Sequence, residues 1–199
     1  MDINFWNARY KEVEYAYGVE ANDFLKSKIE VIKPHSKVLC LAEGEGRNAV
    51  FLAEQNHHVT AVDYSQEGLN KLLNLANKKN LTIETLCVDL NNYIIEANKW
   101  DAVICIFGHF PSDLRKAIFQ QVYSGLKKDG VFLMESYHKN QLNYKTGGPQ
   151  VPELLYSEEE LKNDFFEFEN ISIKTTVKQI NEGKYHNGTS AVIQVIATK

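Results

Sequence analysis

The amino-acid sequence predicts an α/β fold, a doubly wound, largely parallel sheet with helices on both faces. Three observations carry that expectation: five short runs are continuously apolar, helical patterns separate them, and a glycine-rich turn follows the first run directly. The runs are Val38 to Ala42, His58 to Asp63, Glu84 to Leu90, Asp101 to Phe107 and Val131 to Tyr137. None alternates cleanly between apolar and polar, which is how strands covered on both faces read. Between them, Leu69, Leu72, Leu73 and Ala76 recur at helical spacing after a possible N-cap at Ser65. Leu114, Ile118, Val122 and Leu126 do the same after Ser112-Asp113. Crossovers of this kind place a ligand crevice outside the carboxyl ends of the strands.

Ahead of the first strand, Leu25, Ile29 and Ile32 predict one helix from about residue 22 to 33, ended by Pro34. The segment before it, FWNARYKEVEYAYG, is aromatic enough either to pack on the domain or to cover a ligand. After the fifth strand come a loop with Gly147-Gly148-Pro149, a capping box of Ser157 with Glu160, and an acidic helix start at Glu158 to Glu160. Two strand-like runs close the chain, around 171–177 and 191–197. Gly183 and Asn187-Gly188 between them suggest an antiparallel hairpin.

A length of 199 residues with 44% hydrophobic and 24% charged side chains fits one globular domain and argues against disorder. The 22 basic residues are outnumbered by 26 acidic ones, so a polynucleotide partner is disfavoured; Lys78-Lys79 and Lys127-Lys128 read as cations at helix ends. Cys40, Cys87 and Cys105 share no metal-ligand spacing, and each lies in an apolar run, so they read as buried free thiols with no metal site. No apolar stretch is long enough to cross a bilayer, no signal segment is visible, and the expected compartment is the cytoplasm. The sequence assigns no oligomeric state.

The sharpest motif is LAEGEGRNAVFLA, in which a strand runs into Ala42-Glu43-Gly44-Glu45-Gly46 and a helix with Ala49, Val50, Leu52 and Ala53 on one face begins at once. Glycines let a ligand approach the backbone, and the amides of a helix start favour an anionic group. The spacing Gly44, Gly46, Ala49 suits several nucleotide cofactors. The second strand ends in Asp63, placed to accept hydrogen bonds from both hydroxyls of a ribose and to repel a ribose phosphate. At the end of the third, Asp89 can take the amino group of adenine while the Leu90 amide reaches a ring nitrogen. Together these outline an adenosine site.

In order and spacing, VLCLAEGEGRN, VTAVDYS, CVDL, WDAVICIFGHFP and LKKDGVFLMESY resemble the successive motifs of class I S-adenosylmethionine (SAM)-dependent methyltransferases. The WNARY start and the GKYH…AVIQVIA hairpin are most similar to small bacterial enzymes of the tellurite-resistance and thiopurine methyltransferase type. The resemblance runs from Trp6 onward and implies a Rossmann-like, three-layer α/β/α fold, its seven-stranded sheet mostly parallel with the last strand antiparallel. It implies one domain over residues 1–199: a helical lid segment (1–33), a cofactor-binding core (34–138), and an acceptor loop with the C-terminal hairpin (139–199). It also puts Gly44 and Gly46 under the methionine part of SAM, Asp63 on its ribose, and Asp89 with Leu90 at its adenine; Phe107 lies beside the methyl group. Arg9 resembles a position that pairs with the cofactor's carboxylate, Tyr17 belongs to the same lid, and Tyr64 and Ser65 count with the cofactor site. The chain departs from the family pattern where Cys40 replaces an acid, Ala42 a glycine and Glu43 a small residue. A positive φ at Ala42 would cost on the order of 1 kcal/mol, and Glu43 is placed to face the cofactor's ammonium.

Methyl transfer from a sulfonium rests largely on alignment in a water-poor pocket, so a base is needed only for a protonated acceptor. His109 and His186 are the catalytic candidates, with His138 a third histidine after the fifth strand; His57-His58 lies at the amino end of a strand and reads as structural. The expected reaction is methyl transfer from SAM to a small-molecule acceptor (a thiol, chalcogen oxyanion or heterocycle), leaving S-adenosylhomocysteine. The loop from Lys139 to Pro152 is placed to fold over that acceptor. Two rivals share these features: a methyltransferase-like module that only binds, and a nicotinamide-dependent oxidoreductase.

Overall fold

The computed structural model describes residues 3–199. Residues 1 and 2 of the expected lid segment lie outside the described residues. In chain order the elements are α1 (Ile3–Tyr10), α2 (Asp23–Ser27), β1 (Lys37–Leu41), α3 (Arg47–Glu54), β2 (His58–Asp63), α4 (Gln66–Lys78), β3 (Glu84–Cys87), β4 (Trp100–Ile106), α5 (Ser112–Gly125), β5 (Leu126–Tyr137), α6 (Glu158–Asp164), β6 (Asn170–Glu182) and β7 (His186–Thr198).

One seven-stranded sheet runs in the order β3-β2-β1-β4-β5-β7-β6. The first five strands in space are parallel, and β7 lies antiparallel to both β5 and β6. The continuous apolar runs are explained by burial on both sides. In β1, Val38 and Cys40 pack with α2, α3 and α4 on one face, while Leu39 and Leu41 pack with α5 and α6 on the other. Such a strand has no polar face to alternate. The chain builds outward from β1 to β3, then returns to place β4 on the other side of β1, which opens a crevice at the carboxyl ends of β1 and β4.

Ser65 caps α4 by accepting from the Gly68 amide, and Ser157 and Glu160 form the capping box of α6. The structure departs from the sequence expectations at five places. The helix expected over 22–33 is the short α2, capped by Asn22, followed by a 3₁₀ turn over Ile29–Val31. Three β-branched residues among Ile29 to Ile32 lose rotamer freedom in an α-helix, and the chain leaves helical geometry at Lys28. β3 stops at Cys87 rather than Leu90, because the Asp89 carboxylate accepts from the Asn91 amide at 2.8 Å and turns the chain. Being a four-residue edge strand, β3 leaves Cys87 exposed, whereas Cys40 and Cys105 are buried. Lys127-Lys128 falls in β5, since α5 already ends at Gly125; Lys127 pairs with Asp101 at 2.8 Å. Finally, the hairpin turns at residues 183–185, with Gly183 at φ +65, and Asn187-Gly188 belongs to β7.

Candidate active site

Two residues without a glycine's freedom shape the crevice. Ala42, the first residue after β1, has φ +51, and Phe107, the first after β4, has φ +55. The positive φ anticipated at Ala42 is present, and a bulky side chain in that region is rarer still. At Phe107 the kink turns the ring toward Tyr137 and His186, with centroids 4.8 and 4.5 Å away. Gly44 and Gly46 are both left-handed (φ +62 and +88), and each lies against a side chain where a Cβ would have no room: Tyr10 over Gly44, Leu72 of α4 against Gly46.

The crevice holds a cavity of about 950 Å³, within the range of small-molecule and cofactor sites. Ala42, Glu43, Gly46, Asp63, Tyr64, Asp89, Leu90 and Phe107 all line it, and so do Arg9, Tyr17, His109 and His186. Gly44 and Ser65 do not. Tyr10 covers Gly44, and Ser65 is buried at the α4 cap with its hydroxyl donating to Asn7 at 2.6 Å, so both act from beneath the surface. His138 also stands outside the lining; its Nδ1 accepts from the Asn140 amide and caps the 3₁₀ turn after β5.

The acids differ in their engagements. Asp63 is buried, with Oδ2 accepting from the Gly44 amide and Oδ1 from the Ser65 amide, each at 2.8 Å. Burial pushes its carboxyl up to about 6, against the pull of those amides. Glu43 turns toward the start of α3, where Oε1 accepts from the Ala49 amide at 2.7 Å; burial raises it to about 7. Asp89 is exposed and shares one oxygen between the amide and side chain of Asn91.

The opposite end of the cavity is aromatic. Arg9 donates to the Tyr17 hydroxyl at 2.7 Å and lies over the rings of Phe5, Trp6 and Tyr185. Glu12 ties this N-terminal segment to the hairpin by accepting from Lys184 and from the Tyr185 hydroxyl, each at 2.8 Å. His186 packs against Tyr17 with ring centroids 4.3 Å apart and faces Glu182 across 3.5 Å. Burial would raise the Glu182 carboxyl, but His186 and Arg47 hold it down to about 2. Burial lowers His186, and Glu182 opposes that change. His109 is pushed down to about 3, first by burial and then by His186. Its Nδ1 lies 3.1 Å from the Leu154 carbonyl, a contact that requires the proton on Nδ1, and its buried Nε2 has no partner among the described residues. Burial thus lowers both histidines, and what sets His186 apart is the Glu182 carboxylate 3.5 Å from its Nδ1.

Sequence reasoning missed the buried polar floor beneath the hairpin. Asn22 Nδ2 donates to Glu135 and Glu182 at 2.8 and 2.9 Å, Arg47 donates to Glu182 at 2.7 Å, and Lys178 and Gln194 donate to Glu135. Tyr10 was missed as well. The Gly44 position hinted at a close neighbour but could not name it.

The strand order, the switch-point crevice and the glycine turn beside strand-end acids make a Rossmann-like α/β domain, and residues 38–130 match the family model described as a methyltransferase domain. Over 116 residues the chain is 33% identical to a glycine/sarcosine N-methyltransferase of Aphanothece halophytica, covering 54% of this chain and 43% of that protein. An uncharacterized methyltransferase, YbaJ, of Bacillus subtilis is 26% identical over 98 residues, 49% of this chain and 38% of its own length. The chain thus spans less than half of each of these relatives. Among solved structures, TehB from Haemophilus influenzae superposes with a TM-score of 0.73 at 20% identity, covering 90% of this chain and 62% of that one. A structure titled for the conversion of a disulfide bond into a thioacetal group during echinomycin biosynthesis reaches 0.74 at 17% identity, covering 99% and 92%. Among the described residues no helix is long and apolar enough to cross a membrane.

Proposed function

We propose that the protein transfers a methyl group from SAM to a small nucleophile that enters at the aromatic end of the cavity. The observation that carries this reading is convergence: the turn after β1, Asp63 at the end of β2 and Asp89 after β3 face one hollow whose far wall holds Phe107, Tyr17 and His186. These residues suit the cofactor. Asp63 offers remaining carboxylate lone pairs to a ribose, Asp89 and Leu90 stand where an adenine edge would lie, and Arg9, which pairs with no carboxylate among the described residues, presents a cation to the methionine end. When bound, SAM supplies an electrophilic methyl on a sulfonium, and loss of that positive charge is favoured where water is excluded.

The chain's own part is alignment and proton handling. Phe107, Tyr17 and Tyr185 wall the acceptor end, and His186, facing Glu182, takes the proton of an acceptor that arrives as a thiol or protonated heterocycle. A chalcogen oxyanion needs no such base. The name of the Aphanothece halophytica relative, a glycine/sarcosine N-methyltransferase, supports a small acceptor here as well. Three free cysteines support a reducing compartment such as the cytoplasm.

The test is thermal unfolding with SAM, S-adenosylhomocysteine and NAD in parallel. A ligand at about 100 times its dissociation constant adds roughly 2.7 kcal/mol. SAM and S-adenosylhomocysteine should stabilise the chain; stabilisation by NAD alone would overturn the proposal. Demethylated product is then sought with thiols, selenite, tellurite and nitrogen heterocycles. With a thiol, His186→Ala should lose about 10²-fold or more in kcat, and loss of the acid limb from the pH profile would mark the proton role.

A further inference from the structure

A glycine turn that opens a helix from a parallel strand is an ordinary seat for phosphate, because the first amides of the helix lack partners and its dipole favours negative charge. Here the chain fills that seat with its own carboxylates. Glu43 Oε1 accepts from the amide of Ala49, the third residue of α3, at 2.7 Å. Asp63 crosses from β2 to accept from the Gly44 amide, and its second oxygen holds the Ser65 amide.

The cations around the turn are committed as well. Arg47, which begins α3, points its guanidinium at Glu182 (2.7 Å) and the Glu20 carbonyl (3.3 Å). Lys71 of α4 pairs with Glu45 at 2.7 Å. The turn and the neighbouring strand ends therefore present Glu43, Asp63 and Asp89 to the cavity with no ion-pair partner among the described residues, while Glu45 and Arg47 line it as members of ion pairs and Arg9 stands on its aromatic side. Glu43 is also the residue at which the chain departs from the small side chain usual in the resembled family.

We propose that Glu43 is a specificity-determining residue: its carboxylate occupies the phosphate seat at the start of α3, so that the cavity admits adenosine carrying a cationic, phosphate-free tail and turns away ADP, NAD and other phosphorylated adenosines. This deepens the methyltransferase reading and rests on it. The family's cofactor has no phosphate to lose. A carboxylate in that seat attracts the sulfonium and ammonium charges of SAM, whose own carboxylate has Arg9 to turn to, whereas ADP and every dinucleotide must bring phosphate charge against it.

The experiment is isothermal titration of wild type, Glu43→Gln and Glu43→Ala with adenosine, ADP and SAM at pH 8 and above, where a carboxyl raised to about 7 is ionised. Glu43→Gln keeps a carbonyl oxygen for the Ala49 amide, so the turn is preserved and the charge alone is removed. ADP should bind the Gln variant about tenfold or more tightly than wild type, the effect of removing one charge a few ångströms from a phosphate in a partly wetted site. Adenosine should bind both alike. In Glu43→Ala, which also frees the amide, the gain for ADP should be larger. An ADP affinity indifferent to residue 43, or one that changes in step with adenosine, would overturn the inference. Failure of the wild-type chain to bind SAM would strike the methyltransferase reading instead, so the two failures are told apart.

Discussion

Asp63 offers the most exacting test, because replacing it with Asn removes a charge whose energetic sign is set by its surroundings. Moving a carboxyl from 3.8 to about 6, at about 1.4 kcal/mol per tenfold change in proton affinity, makes ionisation cost roughly 3 kcal/mol more in the folded than in the unfolded chain. A folded-state value raised above the unfolded one gives a contribution fully present below pH 4 and lost as pH rises through about 6. Asp63→Asn has no such titration. It instead leaves one of the amides of Gly44 and Ser65 facing an amide nitrogen, a cost of about 1–3 kcal/mol at every pH. Urea unfolding from pH 4 to pH 8 should therefore show the variant less stable than wild type in acid, with the two curves converging or crossing by pH 8. The ligand arm runs the other way, since the ionised form is the better acceptor for ribose hydroxyls. Wild-type affinity for SAM should fall below about pH 6, and Asp63→Asn should weaken it about tenfold or more at pH 8, the loss of a charge-assisted hydrogen bond. A stability difference that stays constant with pH would refute the account of Asp63 as a carboxyl strained by burial, and unchanged SAM affinity would remove its ribose role.

Two further predictions concern the frame around the site. Arg115 of α5 and Asp164 of α6 form an ion pair at 2.6 Å with both side chains almost wholly buried; Asp164→Ala should cost about 3–5 kcal/mol in urea unfolding by stranding the guanidinium, and a cost below about 1 kcal/mol would show that it relaxes to water. Cys87 should be the one thiol modified by a maleimide in the native chain and should react more slowly with S-adenosylhomocysteine present, because it is exposed and lines the cavity, while Cys40 and Cys105 wait for unfolding. Rapid labelling of Cys105, whose thiol burial pushes up to about 12, would contradict the packing of β4.

The architecture was readable wherever burial left a one-dimensional trace. The strands β1, β2 and β4 are covered on both faces, so their apolar runs are continuous, and the crossover pattern followed from them. Family spacing pointed to the positive φ of Ala42 because a glycine is usual there. By contrast, the end of β3 depended on Asp89 capturing its own loop, a competition between side chain and strand that apolar pattern does not register. The polar floor was invisible for a different reason. Asn22 and Glu135 are 113 positions apart, and nothing local marks either as buried. The same holds for Tyr10, whose place over Gly44 is set by how α1 docks on α4.

The strap between Glu12 and the pair Lys184 and Tyr185 joins positions 172 and 173 residues apart. During synthesis the floor of the hollow, from β1 to β4, is complete while its roof is still only half made. A nascent chain halted before the hairpin would carry that crevice open to the surrounding water. Enclosure of the hollow is thus a long-range event that waits for two distant segments to meet.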